Sequence, residues 1–234
     1  MSKHRLPIPE TFPPYVVGSV SDVETWRALD GDVKVPCDVV ELRVDAFPAG
    51  VGAGVFAQTR CERPVLVTVR HESEGGLRPM REVERETLAS YLLPIASALD
   101  WEIARMHEAT DLLLAAKEDG VTLIASAHDF HKTPSLAELR EKEQFARSMG
   151  ADIVKFAFRL NSYEDIQVGI DLLRGATGPM AVMGMGPLGA ASRLLYAQHG
   201  SKLVYGYLGE TPTAPGQWSA ELCLNALGSL TPAE

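Results

Sequence analysis

The sequence predicts an α/β fold, a single (β/α)8 TIM barrel in which eight parallel strands alternate with helices. Three observations predict it. Eight short apolar runs recur along the 234 residues, each followed by a helical pattern. Most of the runs are rich in Val and Ile with little alternation, as suits parallel strands covered on both faces. The chain mass of 25.4 kDa is close to that of barrels of roughly 250 residues, which fold as one unit. An open doubly wound sheet would also alternate strands and helices, but eight parallel strands favour closure. The domain is expected to span 1–234, with residues 1–14 an N-terminal extension.

That extension carries four prolines and no apolar run, so it reads as neither signal peptide nor anchor. The expected strands are Tyr15–Val20, Asp38–Val44, Pro64–Val69, Asp100–Ala104, Val121–Ala127, Ala151–Phe158, Pro179–Met185 and Lys202–Leu208. Three helices carry start signals in which a side-chain acceptor is followed three residues later by a carboxyl. These are Ser21 with Glu24, Ser135 with Glu138, and Asn161 with Glu164. Leu136, Leu139, Phe145, Ala146 and Met149 form a helical stripe after Ser135. Met80–Ser97 reads as a helix that Pro94 kinks or ends. Trp101 to Ala104 would suit a helix as well as a strand.

Composition narrows the function classes. Thirty-one acidic against 22 basic residues give a net charge of −9 and a pI of about 5.2, which argues against a nucleic-acid partner. No stretch reaches the roughly 18 apolar residues that span a bilayer, so no membrane partner is expected. Cys37, Cys61 and Cys223 are odd in number and form no C-x-x-C pair, so they read as reduced thiols of a cytoplasmic protein.

In such a barrel the active site lies at the C-terminal ends of the strands. The ionisable residues gather there. Strand two ends in Glu41, Arg43 and Asp45, whose alternation points all three to one face. An interior ion-pair layer is the plainer reading of Asp45. Arg70 ends strand three and is followed by Glu74-Gly75-Gly76. His128 ends strand five, Arg193 follows strand seven, and Thr213 and Gln217 follow strand eight. Lys155 stands out, inside the apolar run Ile153-Val154-Lys155-Phe156. Desolvating its ammonium enough to free the amine costs roughly 3 kcal/mol. A fold accepts that for a purpose, such as an amine that attacks a carbonyl; the alternative is a lysine reaching past the rim to water. His128 on the neighbouring strand suits proton transfer beside an imine, though a lone histidine there is also a common structural residue. Arg70 and Arg193 offer forked donors for a carboxylate or hydroxyls, with surface ion pairs as the alternative.

Two patterns mislead. Gly184 to Gly189 spells G-x-G-x-x-G, but no acidic residue ends the next strand as dinucleotide binding needs; a barrel loop with close backbone approach fits better. His128 and His131 resemble a metal pair without supporting ligands elsewhere. The Pro- and Gly-rich stretch from Thr211 to Gln217 is a loop that, in this position, could close over a substrate.

Taken in order, these segments resemble type I 3-dehydroquinate dehydratases. The matching pieces are Glu41-Leu42-Arg43-Val44-Asp45; Thr68-Val69-Arg70 with Glu74-Gly75-Gly76; Ser126-Ala127-His128-Asp129-Phe130 with Thr133-Pro134; Ala151 to Lys155; Met183-Gly184 through Ser192-Arg193; and Ala214-Pro215-Gly216-Gln217. They run from strand two to the end of strand eight. Each is weak alone, and six in order are specific. The resemblance implies a metal-free, cofactor-free dehydration of the small molecule 3-dehydroquinate to 3-dehydroshikimate in the shikimate pathway, by a homodimer. It implies Lys155 as the Schiff-base lysine, His128 as general acid and base, and Glu74 as the carboxylate supporting that histidine. Glu41, Arg43 and Arg70 would contact the substrate hydroxyls, and Arg193, Thr213 and Gln217 would clamp its carboxylate under the lid. Ser19 would be a further contact. Thr213 stands where the family usually has serine, and the fourth strand carries no family motif. A class I aldolase would share a strand-borne lysine but not the segments around His128 and Gln217. A non-catalytic sensor could shed Lys155 or His128, and both are kept.

Overall fold

The computed structural model describes residues 5–31, 33–49, 51, 54–210, 212 and 217–230. Within them the eight expected strands form, as β1 (Tyr15–Val20), β2 (Val39–Arg43), β3 (Val65–Thr68), β4 (Ala98–Glu102), β5 (Thr122–Asp129), β6 (Ile153–Arg159), β7 (Met180–Met185) and β8 (Leu203–Tyr207). The helices are α1 (Val23–Arg27), α2 (Gly54–Gln58), α3 (Glu82–Leu92), α4 (Thr110–Glu118), α5 (Leu136–Ser148), α6 (Tyr163–Arg174), α7 (Gly189–Gln198) and α8 (Ala220–Gly228). All strand pairs are parallel, in the order β7-β6-β5-β4-β3-β2-β1-β8. The ring nearly closes between β7 and β8. There Lys202 N–H donates to the Met180 carbonyl at 2.8 Å and Val182 N–H to the Ser201 hydroxyl at 3.0 Å, with no ladder among the described residues.

Two apolar clusters follow from the pleat, since successive side chains face opposite ways. The larger lies between the strands and the outer helices, around Val40, Leu42, Trp101, Phe156 and Phe158. The smaller fills the lower barrel with Val17, Val39, Leu66, Ala98, Ile124, Ile153 and Leu203. Leu6 joins it from below, 2% exposed, with its N–H on the Ser97 carbonyl and its carbonyl accepting from Thr122 Oγ1 at 2.9 Å. The segment before β1 therefore packs across the base of the barrel.

Several sequence expectations shift. β4 was expected at Asp100–Ala104 and lies two residues earlier, because Ile103–Arg105 form a 3-10 turn. The preceding helix stops at Leu92, and Pro94 sits in a 3-10 turn that releases Ala96 and Ser97 into the strand. The two-residue shift keeps the parity, so Asp100 and Glu102 still share a face. Asp45 is not on strand two but in a 3-10 turn, Val44–Ala46, beyond its end. Capping moves by one residue twice. Asp22, not Ser21, takes the Thr25 N–H at 2.7 Å, since an ionised carboxylate is the stronger acceptor. Ser162, not Asn161, caps α6, with Asp165 accepting both backbone N–H groups. Ser135 and Glu138 form the expected reciprocal cap.

Candidate active site

Alternation along the strands stacks polar side chains above the apolar lower layer. Ser19, Glu41, Thr68, Asp100, Ser126 and Lys155 each stand two residues beyond an interior apolar position, and Arg70 two beyond Thr68. All seven are at most 3% exposed. At this depth every charge needs a partner, and the contacts supply them.

Lys155 Nζ lies 2.7 Å from Asp100 Oδ2 and 4.4 Å from the centre of the Tyr205 ring. The other oxygen of Asp100 accepts from Arg70 Nη2 at 2.8 Å and from Ser126 Oγ at 2.6 Å. Arg70 Nη1 donates to Glu102 Oε1 at 2.9 Å and to Ser126 Oγ at 2.7 Å. Glu102 also pairs with Arg85, whose guanidinium stacks on Trp101 and meets Glu82 at 2.7 Å. Alternating charges thus run without a break from Lys155 through the strand wall to α3. Burial opposes the Asp100 carboxylate, yet Arg70 and Lys155 outweigh it and hold the group well below the usual carboxylate range. Burial likewise opposes charge on Arg70, and Asp100, Glu102, Glu74 and Glu41 overcome it.

His128 sits one step from Lys155 on the adjacent strand, since Ser126 pairs with Lys155 and His128 with Ala157. Burial first, then the positive charges of Arg70 and Lys155, push its pKa well below 6.5, so the ring is neutral. Its backbone N–H and its Nδ1 each lie 2.9 Å from Glu74 Oε2. With Nδ1–H directed at Glu74, Nε2 keeps its lone pair. Glu74 is held by a 3-10 turn, Glu72–Glu74, whose exit needs glycine. A Cβ at Gly76 would lie 2.3 Å from the Arg70 carbonyl oxygen. Burial raises the Glu74 carboxyl to about 7, against the pull of Arg70.

On the β1–β2 side, Ser19 Oγ donates to Glu41 Oε2 at 2.5 Å, and Thr68 Oγ1 to Glu41 Oε1 at 2.8 Å. Arg43 forms a fork with Asp45 at 3.0 and 2.8 Å and reaches the Gly75 carbonyl at 3.3 Å, so Asp45 does serve an ion-pair layer. On the β7–β8 side the groups are less engaged. Arg193, on α7, has Nε and Nη1 buried with no hydrogen-bond partner among the described residues, as has the Tyr205 hydroxyl. Burial lowers the pKa of Arg193 and raises that of Tyr205 well above 10. Gln217 lies next to the segment where Tyr207 bridges Ser219. Thr213 falls outside the described residues.

The structure thus gathers Lys155, His128, Glu74, Ser19, Glu41, Arg43 and Arg70 at one end of the barrel. Sequence reasoning missed Asp100, Glu102 and Tyr205. The available signal was two acids, Asp100 and Glu102, at i and i+2 of a buried strand, which parity sends into the barrel with Arg70 and Lys155. The G-x-G-x-x-G segment runs from the end of β7 through a turn at Gly186 (φ 78) into α7, and a Cβ on Gly189 would lie 2.8 Å from the Gly184 carbonyl oxygen, the close backbone approach expected of a barrel loop. The His128–His131 pattern is a turn in which Asp129 accepts the His131 and Lys132 N–H groups. Among the described residues no cluster of three or more His, Cys, Asp or Glu is arranged to hold a metal.

Known proteins sharpen the picture. The family model for type I 3-dehydroquinase matches residues 19–233. A 3-dehydroquinate dehydratase of Methanocella arvoryzae is 33% identical over 220 residues, covering 92% of this chain and 96% of the relative. A catabolic 3-dehydroquinate dehydratase of Acinetobacter baylyi is 35% identical over 194 residues, covering 77% and 71%. Among solved structures, the 3-dehydroquinate dehydratase of Enterococcus faecalis superposes with a TM-score of 0.80 at 25% identity, covering 96% of each chain. No helix among the described residues is long and apolar enough to cross a membrane. Barrel, sequence and family model agree, and the chain belongs to the type I 3-dehydroquinase family.

Proposed function

We propose that this chain eliminates water from 3-dehydroquinate to give 3-dehydroshikimate through an imine on Lys155. The observation that carries the reading is a buried amine on β6 beside a neutral imidazole on β5 whose Nδ1 is engaged by Glu74. Nζ adds to the substrate ketone, and the carbonyl oxygen leaves as water. The resulting iminium withdraws electrons and acidifies the adjacent C–H. His128 Nε2 takes that proton and returns it to the departing hydroxyl, then assists hydrolysis of the imine. Glu74 keeps the imidazole in the tautomer that can accept. Ser19, Glu41, Arg43 and Arg70 face the substrate hydroxyls, directly or by holding one another in place. Arg193, with Thr213 and Gln217, takes the substrate carboxylate. No metal or cofactor has a part in this scheme. Shikimate-pathway chemistry, a cytoplasmic setting and a homodimer belong to the same reading, the last checked by sedimentation.

Borohydride trapping with 3-dehydroquinate, then mass spectrometry of the digest, tests the scheme. An adduct is expected on the peptide holding Lys155. Lys155→Ala is expected to lose the adduct and at least about 10⁴-fold in kcat while still folding. His128→Ala is expected to lose about 10² to 10⁴-fold in kcat and still be trapped. Absence of an adduct in the folded wild-type protein would refute the imine.

A further inference from the structure

We infer that Asp100 is a further catalytic residue of this site, the counter-ion that keeps the imine nitrogen on Lys155 protonated. The inference rests on the imine reading above and extends it to a residue on β4.

The geometry places the carboxylate on the reacting atom. Asp100 is 1% exposed, and its Oδ2 lies 2.7 Å from Nζ. Its other oxygen is held by Arg70 and by Ser126, so the group cannot swing away as the amine becomes an imine. The Tyr205 ring presents its negative π-face to the same nitrogen at 4.4 Å. A cationic nitrogen is thus met by a carboxylate on one side and an aromatic face on another.

Charge bookkeeping explains why one fixed anion suffices. The paired ammonium and the ketone condense to an iminium and one water. Of the three hydrogens on nitrogen, two leave in that water, one by way of His128, and one stays. The nitrogen is positive before and after, so the same carboxylate matches both states. Only the protonated imine draws electrons strongly enough to make the adjacent C–H acidic. Asp100 does not act as the base for these transfers, because Arg70 and Lys155 hold its carboxyl ionised despite burial.

The other groups around this centre do not replace it. Glu41 on β2 is engaged by Ser19 and Thr68, and Glu102 on β4 by Arg70, Arg85 and the His71 N–H. Glu74 is bonded to His128. Arg43 and Arg70 are positive, His128 is neutral, and Tyr205 keeps its proton. β7 presents Ala181 and Met183, which carry no charge.

The test compares Asp100→Asn with wild type in single-turnover reactions with 3-dehydroquinate from pH 6 to 9, reading the Lys155 adduct after borohydride and 3-dehydroshikimate by absorbance. The adduct is expected to form in both. Elimination in the variant is expected to fall about 100-fold at pH 8 but tenfold or less at pH 6, because its alkaline limb moves down by at least one pH unit. A fall by the same factor at every pH, a rate within threefold of wild type, or loss of the adduct in the variant alone would overturn the counter-ion role. Loss of the adduct in wild type would instead overturn the imine. If Asp100→Asn does not fold, Ser126→Ala takes its place. It removes one hydrogen bond from the same carboxylate and should move the alkaline limb the same way by several tenths of a unit; an unmoved limb would overturn the proposal.

Discussion

From β2 to β6 the charged side chains at the barrel mouth are bound to one another, whereas around β7 and β8 they are not. On the first side Lys155, Asp100, Arg70, Glu102 and Arg85 form one continuous chain of ion pairs. On the second, buried Nε and Nη1 of Arg193 and the buried Tyr205 hydroxyl lack partners among the described residues, and the two strands share no ladder. Under the proposed function the contrast separates two tasks. Groups that do covalent chemistry must stand in one geometry before anything arrives. A guanidinium that awaits an anion gains more from that anion if the protein has not already satisfied it. Preorganisation and unmet hydrogen-bonding capacity therefore sit on opposite sides of one mouth.

The contrast can be broken from either side. The largest expected effect is on the paired side. Glu102→Ala leaves Arg70 and Arg85 buried without their shared anion and should cost about 3–5 kcal/mol of stability, read from denaturant unfolding. A loss under 1 kcal/mol would mean that the chain of pairs is not what holds this wall. On the open side Arg193→Met should leave the melting temperature unchanged or raised, while kcat/KM falls about 100-fold, the loss of one charge-assisted fork worth about 2–3 kcal/mol. A variant that melts several degrees lower would place Arg193 with the structural charges. A third test lies within the paired side, at Glu74, which bonds to His128 on β5. Its carboxyl is raised from 4.5 to about 7, so the folded state keeps a proton that the unfolded chain has lost between these values. Stability therefore falls as pH rises through that window. Glu74→Gln removes the penalty. Its stability relative to wild type should grow from nothing near pH 4 to at most about 3 kcal/mol above pH 7, seen as a pH-dependent gap in melting temperature. A gap that does not change with pH would show that ionising Glu74 is cheap.

Much of the paired side was legible in the sequence, and for a local reason. Lys155 and Glu41 interrupt apolar strands and His128 falls near the end of one, and a polar residue in such a place stands out from the run around it. Arg70 with Gly75-Gly76, and Ser126 to Phe130, are short contiguous segments that belong to the ordered set carrying the family resemblance. Asp100 and Glu102 were less legible because Trp101 and Ile103 around them suit a helix as well as a strand. Their partners lie 30 and 55 positions away for Asp100, so only the closed ring shows what they hold. Strand register was forgiving, since β4 moved by two residues without changing faces. Helix starts were not, because Asp22 and Ser162 compete with neighbours one position away for the same backbone N–H groups. Arg193 was found as a residue following strand seven, but its unmet donors depend on what α7 packs against.

Leu6 and the segment around it seat against the lower layer of the barrel, with Ile8 and Tyr15 beside it. Through traffic along the barrel axis is blocked at that end. Whatever reaches Lys155 enters at the mouth, and whatever is made there leaves by the same door. Arrival of a fresh molecule and departure of the old one then exclude each other, so product should act as a competitive inhibitor, and a bulky ligand wedged in the mouth should slow release as much as entry.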